Sequence, residues 1–366
     1  LYAHDPRFPS VNDPLTWFHP TLEPQAAAVD LSRLMVAGVI TDTELQRRQK
    51  DLARYYRAYL DTCPVPTWAP GLVLTNEIRR ITDTFLPFNA IKGALLRLVR
   101  LALRQGGDLS PPLFRRASCW PDLLHHLQGV GILSDPAAFL GMLMDDEHVR
   151  LKFLFALYLP QQFGGGFGRY PGQYAFLRQW LGNKASFPGG ALRCLDAACG
   201  SGEGTYELAR LVRDTGFPAD AASISGVTLS PLEVFSASHA RFPHDPEHEN
   251  NVRQYLGSLM AGEAWGNIRF AAADLQSWEE AEQFQVILCN GVLGGPLLHD
   301  AAAMEAVVRR LARCLAPGGI LLAADRFHAG WRKVVPSTRL ESLFCSEGLS
   351  LVQVGEGVGG IKPSGG

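Results

Sequence analysis

The run Leu192-Arg193-Cys194-Leu195-Asp196-Ala197-Ala198-Cys199-Gly200-Ser201-Gly202-Glu203-Gly204 reads as an apolar strand, a turn of small residues and the start of a helix. Small side chains in such a turn let a ligand lie against bare main chain. In an open parallel sheet, ligands bind beyond the carboxyl ends of the strands, where this turn falls. The glycines follow G-x-G-x-G rather than G-x-G-x-x-G, and Asp196 stands just before them. A carboxylate is unfavourable beside a pyrophosphate and favourable beside a cationic ligand end. The chemistry expected here is the binding of a cationic nucleoside, not of a dinucleotide.

Three later segments agree with that expectation. Ser223 to Pro231 (SISGVTLSP) reads as a second strand that ends where a ribose would sit, and then a helix start. Ala272-Ala273-Asp274-Leu275 places a carboxylate after a third strand, where it can accept from an adenine amino group. Gln285 to Leu293 (QVILCNGVL) ends a fourth strand in a polar residue and a glycine, facing a reacting sulfonium. Together they favour S-adenosylmethionine as cofactor, with S-adenosylhomocysteine as product. The donor contacts expected are Asp196, Ala198, Gly200, Gly202, Thr228, Leu229, Asp274, Leu275, Asn290, Gly291 and Val292. Methyl transfer from a sulfonium is an in-line displacement in which the protein mainly positions the reactants. A carboxylate acceptor needs no base; for a phenol, alcohol or amine, His299, Asp325 and His328 follow the fourth and fifth strands and could serve.

The elements that must position these residues fall in two halves. Residues 1–25 carry five prolines and read as an extended arm that wraps onto something else. Residues 26–163 have helical periodicity and form an expected all-α domain of six or seven helices, serving as lid or substrate domain. Thr41-Asp42-Thr43-Glu44 reads as a capping box ahead of Leu45, Leu52, Tyr56 and Tyr59 on one helix face. Ile91, Leu95, Leu98 and Ala102 repeat the pattern, and Asp135-Pro136 is an N-cap followed by proline. Gly164-Gly165-Gly166 reads as a hinge or as backbone close to a ligand. From residue 167 to 366, apolar runs (192–195, 223–229, 285–289, 319–324) alternate with helical stretches (203–213, 231–240, 301–315, 337–347). That order implies an α/β, Rossmann-like, doubly wound and mostly parallel sheet.

This half resembles class I S-adenosylmethionine-dependent methyltransferases. Within them it looks most like the chemotaxis-receptor glutamate methyltransferase (CheR) family. Ala198 to Ala209 (ACGSGEGTYELA) is similar to that family's A-G-C-S-T-G-E-E-P-Y-S-L-A, and Phe167-Gly168-Arg169-Tyr170-Pro171 to its F-F-R-D segment. The resemblance implies active-site roles for Arg169 and Glu203. Leu311 to Leu321 (LARCLAPGGIL) matches the helix, turn and fifth strand shared across class I. Two departures stand out. Thr228 replaces the acid expected to bind both ribose hydroxyls, and Cys289-Asn290-Gly291-Val292-Leu293-Gly294-Gly295-Pro296 lacks the Arg-Asn pair and the aromatic of the family's C-R-N-V-L-I-Y-F. Receptor glutamate is therefore not the acceptor expected.

Composition excludes several other classes. Hydrophobic residues make up 47% and charged residues 19%, which suits a globular chain and not a disordered one. A net charge of −2 without a Lys/Arg block offers no footprint for nucleic acid. No apolar run approaches the roughly 18 residues of a membrane span, and the start has no signal-peptide pattern. Seven scattered cysteines without a C-x-x-C pair fit reduced thiols in a cytoplasmic setting. In His244-Asp245-Pro246-Glu247-His248 the proline breaks the helix that would align two imidazoles, so no metal is expected. The partner expected is a small-molecule or peptide methyl acceptor at the interdomain cleft, with a homodimer left open. Three other readings remain at this point. Gly226-Val227-Thr228-Leu229-Ser230 also resembles cyclopropane-fatty-acid synthases, which act on lipid chains with the same donor. Thr228 and the altered Asn290 segment motivate a non-catalytic sensor or docking module, and an NAD oxidoreductase is the third.

Overall fold

The computed structural model describes residues 16–63, 65–69, 71–104, 111–127, 131, 133–159, 166–182, 191–260, 267–278, 283–295, 298–324 and 335–364. The chain divides into two compact units, residues 23–164 with 241–250, and residues 1–22, 165–240 and 251–366.

Eight helices make up most of the first unit among the described residues, more than the six or seven that the periodicity predicts. They are α1 (Pro24–Leu34), α2 (Thr43–Thr62), α3 (Asn76–Phe85), α4 (Phe88–Ala102), α5 (Pro112–Arg116), α6 (Trp120–His126), α7 (Pro136–Asp145) and α8 (Glu147–Tyr158). The short α5 and α6, each opened by a proline, account for the difference. Helix α2 buries Leu45, Leu52 and Tyr59, the face read from the sequence, and packs against α3, α4 and α7. Its N-cap is Asp42, not the Thr41 of the expected capping box. The Asp42 carboxylate accepts from the Leu45 amide at 2.8 Å and takes the Arg97 guanidinium in a two-point contact, both at 2.7 Å. That guanidinium holds the Asp42 carboxyl at about 2. Glu44, freed from capping, pairs instead with Arg47 and Arg48. Asp135 caps α7 as expected, accepting from the amides of Ala137 and Ala138.

Arg150 of α8 is fully buried. Its guanidinium donates to the carbonyls of Leu143 and Met144, the open end of α7, and to those of Val36 and Gly38. Helix ends leave carbonyls without intrahelical partners, and a planar fork can satisfy several at once.

The second unit is built on one seven-stranded sheet of order β3-β2-β1-β4-β5-β7-β6. Strands β1 (Leu192–Asp196), β2 (Ala222–Thr228), β3 (Ile268–Ala272), β4 (Phe284–Leu288) and β5 (Leu315–Ala323) run parallel. Strands β6 (Ser350–Val352) and β7 (Val358–Ile361) form an antiparallel hairpin on the β5 edge. The helices of this half are α9 (Pro171–Gly182), α10 (Glu203–Asp214), α11 (Pro231–His239), α12 (Pro246–Met260), α13 (Ala301–Cys314) and α14 (Ser337–Ser346). Leu195, Val227, Ile287 and Leu321 are buried on adjacent strands, which explains why these strands read as continuous apolar runs. The Leu311 to Leu321 segment departs in one respect: β5 begins at Leu315, directly after α13. The Lys362 ammonium satisfies the carbonyls at that junction, donating to Ala312 and Leu315. Strand order reverses between β1 and β4, whose ends lie side by side at Asp196 and Leu288. This is the crevice where ligands of such sheets bind.

Arg150→Met, of similar length and without donors, should destabilise the helical unit by about 2–3 kcal/mol because buried carbonyls lose their partners. A urea midpoint unchanged from that of the parent protein would show that Arg150 does not carry this role.

Candidate donor site

The turn after β1 is folded by its own backbone: Gly202 N–H donates to Cys199 O at 2.9 Å and Cys199 N–H to Val227 O at 3.0 Å. Gly200 has φ +53°, and a Cβ there would meet no atom of the described residues within 4 Å, so on that side its backbone is not covered by them. Gly202 differs. At φ +94° a Cβ would lie 2.9 Å from Ala237 Cβ and 3.2 Å from Phe270 Cζ. A side chain there would strike α11 and β3, so glycine allows α10 to pack closely on both.

Three acids gather around this turn. Asp196, buried at the end of β1, accepts from Thr205 Oγ1 at 2.8 Å and from the Ala198 amide. Glu203, buried at the start of α10, accepts from Ser201 Oγ at 3.0 and 2.9 Å. Glu233, in the first turn of α11, accepts from Thr228 Oγ1. Burial pushes the Asp196 carboxyl up to about 6; the Glu203 charge adds to this, while Thr205, Ala198 and the Arg169 guanidinium oppose it. Burial likewise pushes Glu233 up to about 7, with Glu203 adding and Thr228 opposing. By surface area Glu233 is half-buried, but it is closely surrounded by protein, and the upward direction stands on that crowding and on Glu203. The Cys199 thiol is raised well above its usual range by burial and by all three acids, which makes it a poor nucleophile.

Glu233 escaped the sequence reading. The acid expected at the end of β2 is absent, but a carboxylate stands five residues later and bonds the very threonine that replaces it. An acid in the first turn of the following helix was the available signal.

The other expected residues are placed as follows. Thr228 is buried, Leu229 is 48% exposed, and Asp274 and Leu275 are half-buried just beyond β3. Ala273 N–H donates to Thr228 O at 2.8 Å, which joins the ends of β2 and β3. One Asp274 oxygen already accepts from the Gln276 amide at 2.9 Å. Asn290, Gly291 and Val292 follow β4, half-buried. The Asn290 amide is held by protein: it donates to Gln173 Oε1 at 2.9 Å, and its oxygen accepts from Gln173 Nε2 at 3.2 Å and Ala324 N at 2.9 Å. Gly291 has φ +78°, and a Cβ there would meet no atom of the described residues within 4 Å.

Arg169 is half-buried and acts electrostatically on both Asp196 and Glu207. The two residues before it are held: Phe167 stacks on Tyr255 at 3.8 Å and Gly168 N–H donates to Glu207 at 2.5 Å. His299 is exposed ahead of Asp300, the N-cap of α13. Asp325, His328, Trp331 and Arg332 lie outside the described residues, as do Gly164 and Gly165. His244 is buried and bonded to Leu159 O at 2.6 Å, before α12 begins at Pro246, while His248 lies within α12. No cluster of metal-ligating side chains occurs among the described residues, and none of their helices is long and apolar enough to cross a membrane.

A cationic nucleoside fits these observations. The Gly200 turn adjoins carboxylates that accept from the hydroxyls of Thr205, Ser201 and Thr228. The same carboxylates oppose the pyrophosphate of a nicotinamide nucleotide.

Residues 167–326 match the family model described as CheR methyltransferase, SAM binding domain. No curated protein matched the chain. Among solved structures, the chain is similar to the StiE O-MT (residues 961–1257) at 21% identity and TM-score 0.31, covering 49% of this chain and 53% of that one. It is similar to SAM-bound CalS10, an amino pentose methyltransferase from Micromonospora echinaspora, at 20% identity and TM-score 0.28, covering 45% and 53%. It is also similar to the N-methyltransferase NodS from Bradyrhizobium japonicum WM9 in complex with S-adenosyl-L-homocysteine, at 19% identity and TM-score 0.34, covering 60% and 100%. The chain spans about half the length of the first two of these structures. The parallel sheet and the turn after β1 agree with that match, which makes residues 167–326 similar to the S-adenosylmethionine-binding domain of CheR methyltransferases.

Proposed function

We propose that the chain transfers the methyl group of S-adenosylmethionine to a small molecule or a peptide side chain. The observation that carries this reading is the open Gly200 backbone beside Asp196, Glu203 and Glu233. The donor supplies an activated methyl group on a sulfonium. The chain's residues hold and orient it. Asp196 and Glu203 give negative charge to the amino-acid end, the Thr228–Glu233 pair offers acceptors to the ribose hydroxyls, and Asp274 has a carboxylate for the adenine amino group. Gly291 supplies backbone near the reacting centre. Arg169, fixed by its clamped neighbours, orients the acceptor and tempers the charge on Asp196. Glu233 accepting in place of a strand-end acid supports a working donor site over a degenerate one, which speaks against the sensor reading.

Gly200→Val should abolish S-adenosylhomocysteine binding in calorimetry while leaving the circular dichroism spectrum intact; undiminished affinity would remove this site. Arg169→Ala should lower turnover of S-adenosylmethionine by a metabolite extract roughly 10- to 100-fold with a smaller loss in donor affinity. Equal losses in both would reassign it to donor binding.

The raised acids set the pH dependence. Their folded pKa values, about 6 and about 7, lie above the ordinary carboxyl values of 3.8 and 4.5. The stability that protonated Asp196 and Glu233 give the free protein is fully present below the lower values and is lost as pH rises through the upper ones. A cationic ligand favours the ionised acids, so S-adenosylmethionine affinity should climb roughly tenfold or more between about pH 5 and 8, with protons released on binding. Calorimetry in buffers of different ionisation enthalpy reads the release, and Glu233→Gln should reduce it. A flat affinity would show that these acids do not face the donor's charge.

A further inference from the structure

Residues 16–22 lie along the outer edge of the sheet. Phe18 and Phe270 of β3 exchange both backbone hydrogen bonds at 2.8 Å, an antiparallel pairing. His19 Nδ1 lies 3.1 Å from Ile268 O, and Thr21 N–H donates to Ser238 O of α11 at 2.9 Å. Trp17 takes the Arg269 guanidinium over its ring at 4.1 Å, and Arg269 is itself fixed by Ser225 Oγ of β2 at 2.9 Å. Trp17 also packs on the apolar cluster that contains Val227 and Trp278 and that Ala273 and Leu275 cover in part.

These contacts select particular elements. Strand β3 ends at Ala272, just before Asp274 and Leu275, and α11 carries Glu233 in its first turn, so the segment ties together the two elements that bear the adenosine-side residues. The antiparallel register opposite Phe270 places Trp17 nearer the carboxyl end of β3 than Phe18, on the way to Asp274. Covering an edge strand also protects it from pairing with another chain. Edge protection alone needs backbone pairing and does not need an aromatic ring locked to Arg269.

We infer that residues 16–22 form a strap that holds the adenosine-side wall of the donor site, with Trp17 and Phe18 as positioning residues. The inference rests on the donor reading above. The strap limits the freedom of β3 and of the Asp274 turn before the ligand arrives, so less order remains to be imposed on binding. Removing it raises the dissociation constant of any ligand that carries adenosine and leaves the amino-acid end unaffected.

The test uses the full chain with Phe18→Pro, which deletes the donor to Phe270 O, and with Trp17→Ala, which keeps the backbone pairing. Calorimetry with S-adenosylhomocysteine and with 5′-methylthioadenosine, which lacks the amino-acid end, should show a loss of roughly five- to tenfold for each variant, by the same factor for both ligands. Stoichiometry should stay at one site, and Trp17→Tyr, which keeps an aromatic face for Arg269, should restore most of the affinity. Affinities in Trp17→Ala and Phe18→Pro equal to those of the unsubstituted protein would overturn the strap alone. Loss confined to S-adenosylhomocysteine would also overturn it, because the effect would then lie at the amino-acid end. No binding of either ligand by the unsubstituted protein would overturn the donor reading and the strap's role with it.

Discussion

Carboxylates withdrawn from water beside one another are unfavourable unless a cation or strong donors answer them. The donor site is organised around that constraint. Asp196 comes from a strand end, Glu203 from the start of α10 and Glu233 from the start of α11, and each has its own hydroxyl: Thr205, Ser201 and Thr228. Hydroxyls donate one hydrogen bond each and carry no charge. The helix starts at Glu203 and Glu233 add a partial positive potential, which is a further small help. The Arg169 guanidinium acts on both Asp196 and Glu207. A sulfonium with an ammonium group has the sign that this cluster of acids favours.

The sheet half was legible because parallel strands buried on both faces leave an unambiguous mark, continuous apolar runs separated by helical periods. The runs at 192–195 and 285–289 became β1 and β4, and the helix starting at Glu203 became α10. Elements whose stability comes from distant partners were less legible. Asp42 displaced Thr41 as the cap of α2 because Arg97, far along the chain, holds its carboxylate. Helix α12 is rich in polar residues and was not anticipated beyond its broken histidine pair. The β6–β7 hairpin is short and glycine-rich, so periodicity could not mark it.

The site was legible in its turn and less so in its detail. A G-x-G-x-G pattern says that the backbone is approached closely but not by what. At Gly200 the neighbour is open space, whereas at Gly202 it is Ala237 and Phe270. Asn290 shows the same limit. Its place after β4 was read correctly, yet its amide bonds Gln173 and Ala324, so the side chain braces the loop. The reciprocal amide pair ties α9, which follows Arg169, to the end of β4, and Gln173 reaches the β6–β7 loop through Glu356. The Arg169 segment and the β4 loop are thus held by one network.

Moving the ribose-side acid from the strand to the helix changes more than its address. Glu233 sits on a helix turn, bonded to a hydroxyl that can either donate or accept. While Glu203 stands nearby and no cation is bound, a proton on Glu233 removes one of the repulsions. Thr228 serves both states, donating to the carboxylate or accepting from the acid. The arrangement lowers the cost of keeping the site folded when empty, and it makes donor affinity depend on proton release. A direct substitution of Thr228 by an acid would remove that latitude and set a third charge permanently beside Asp196 and Glu203.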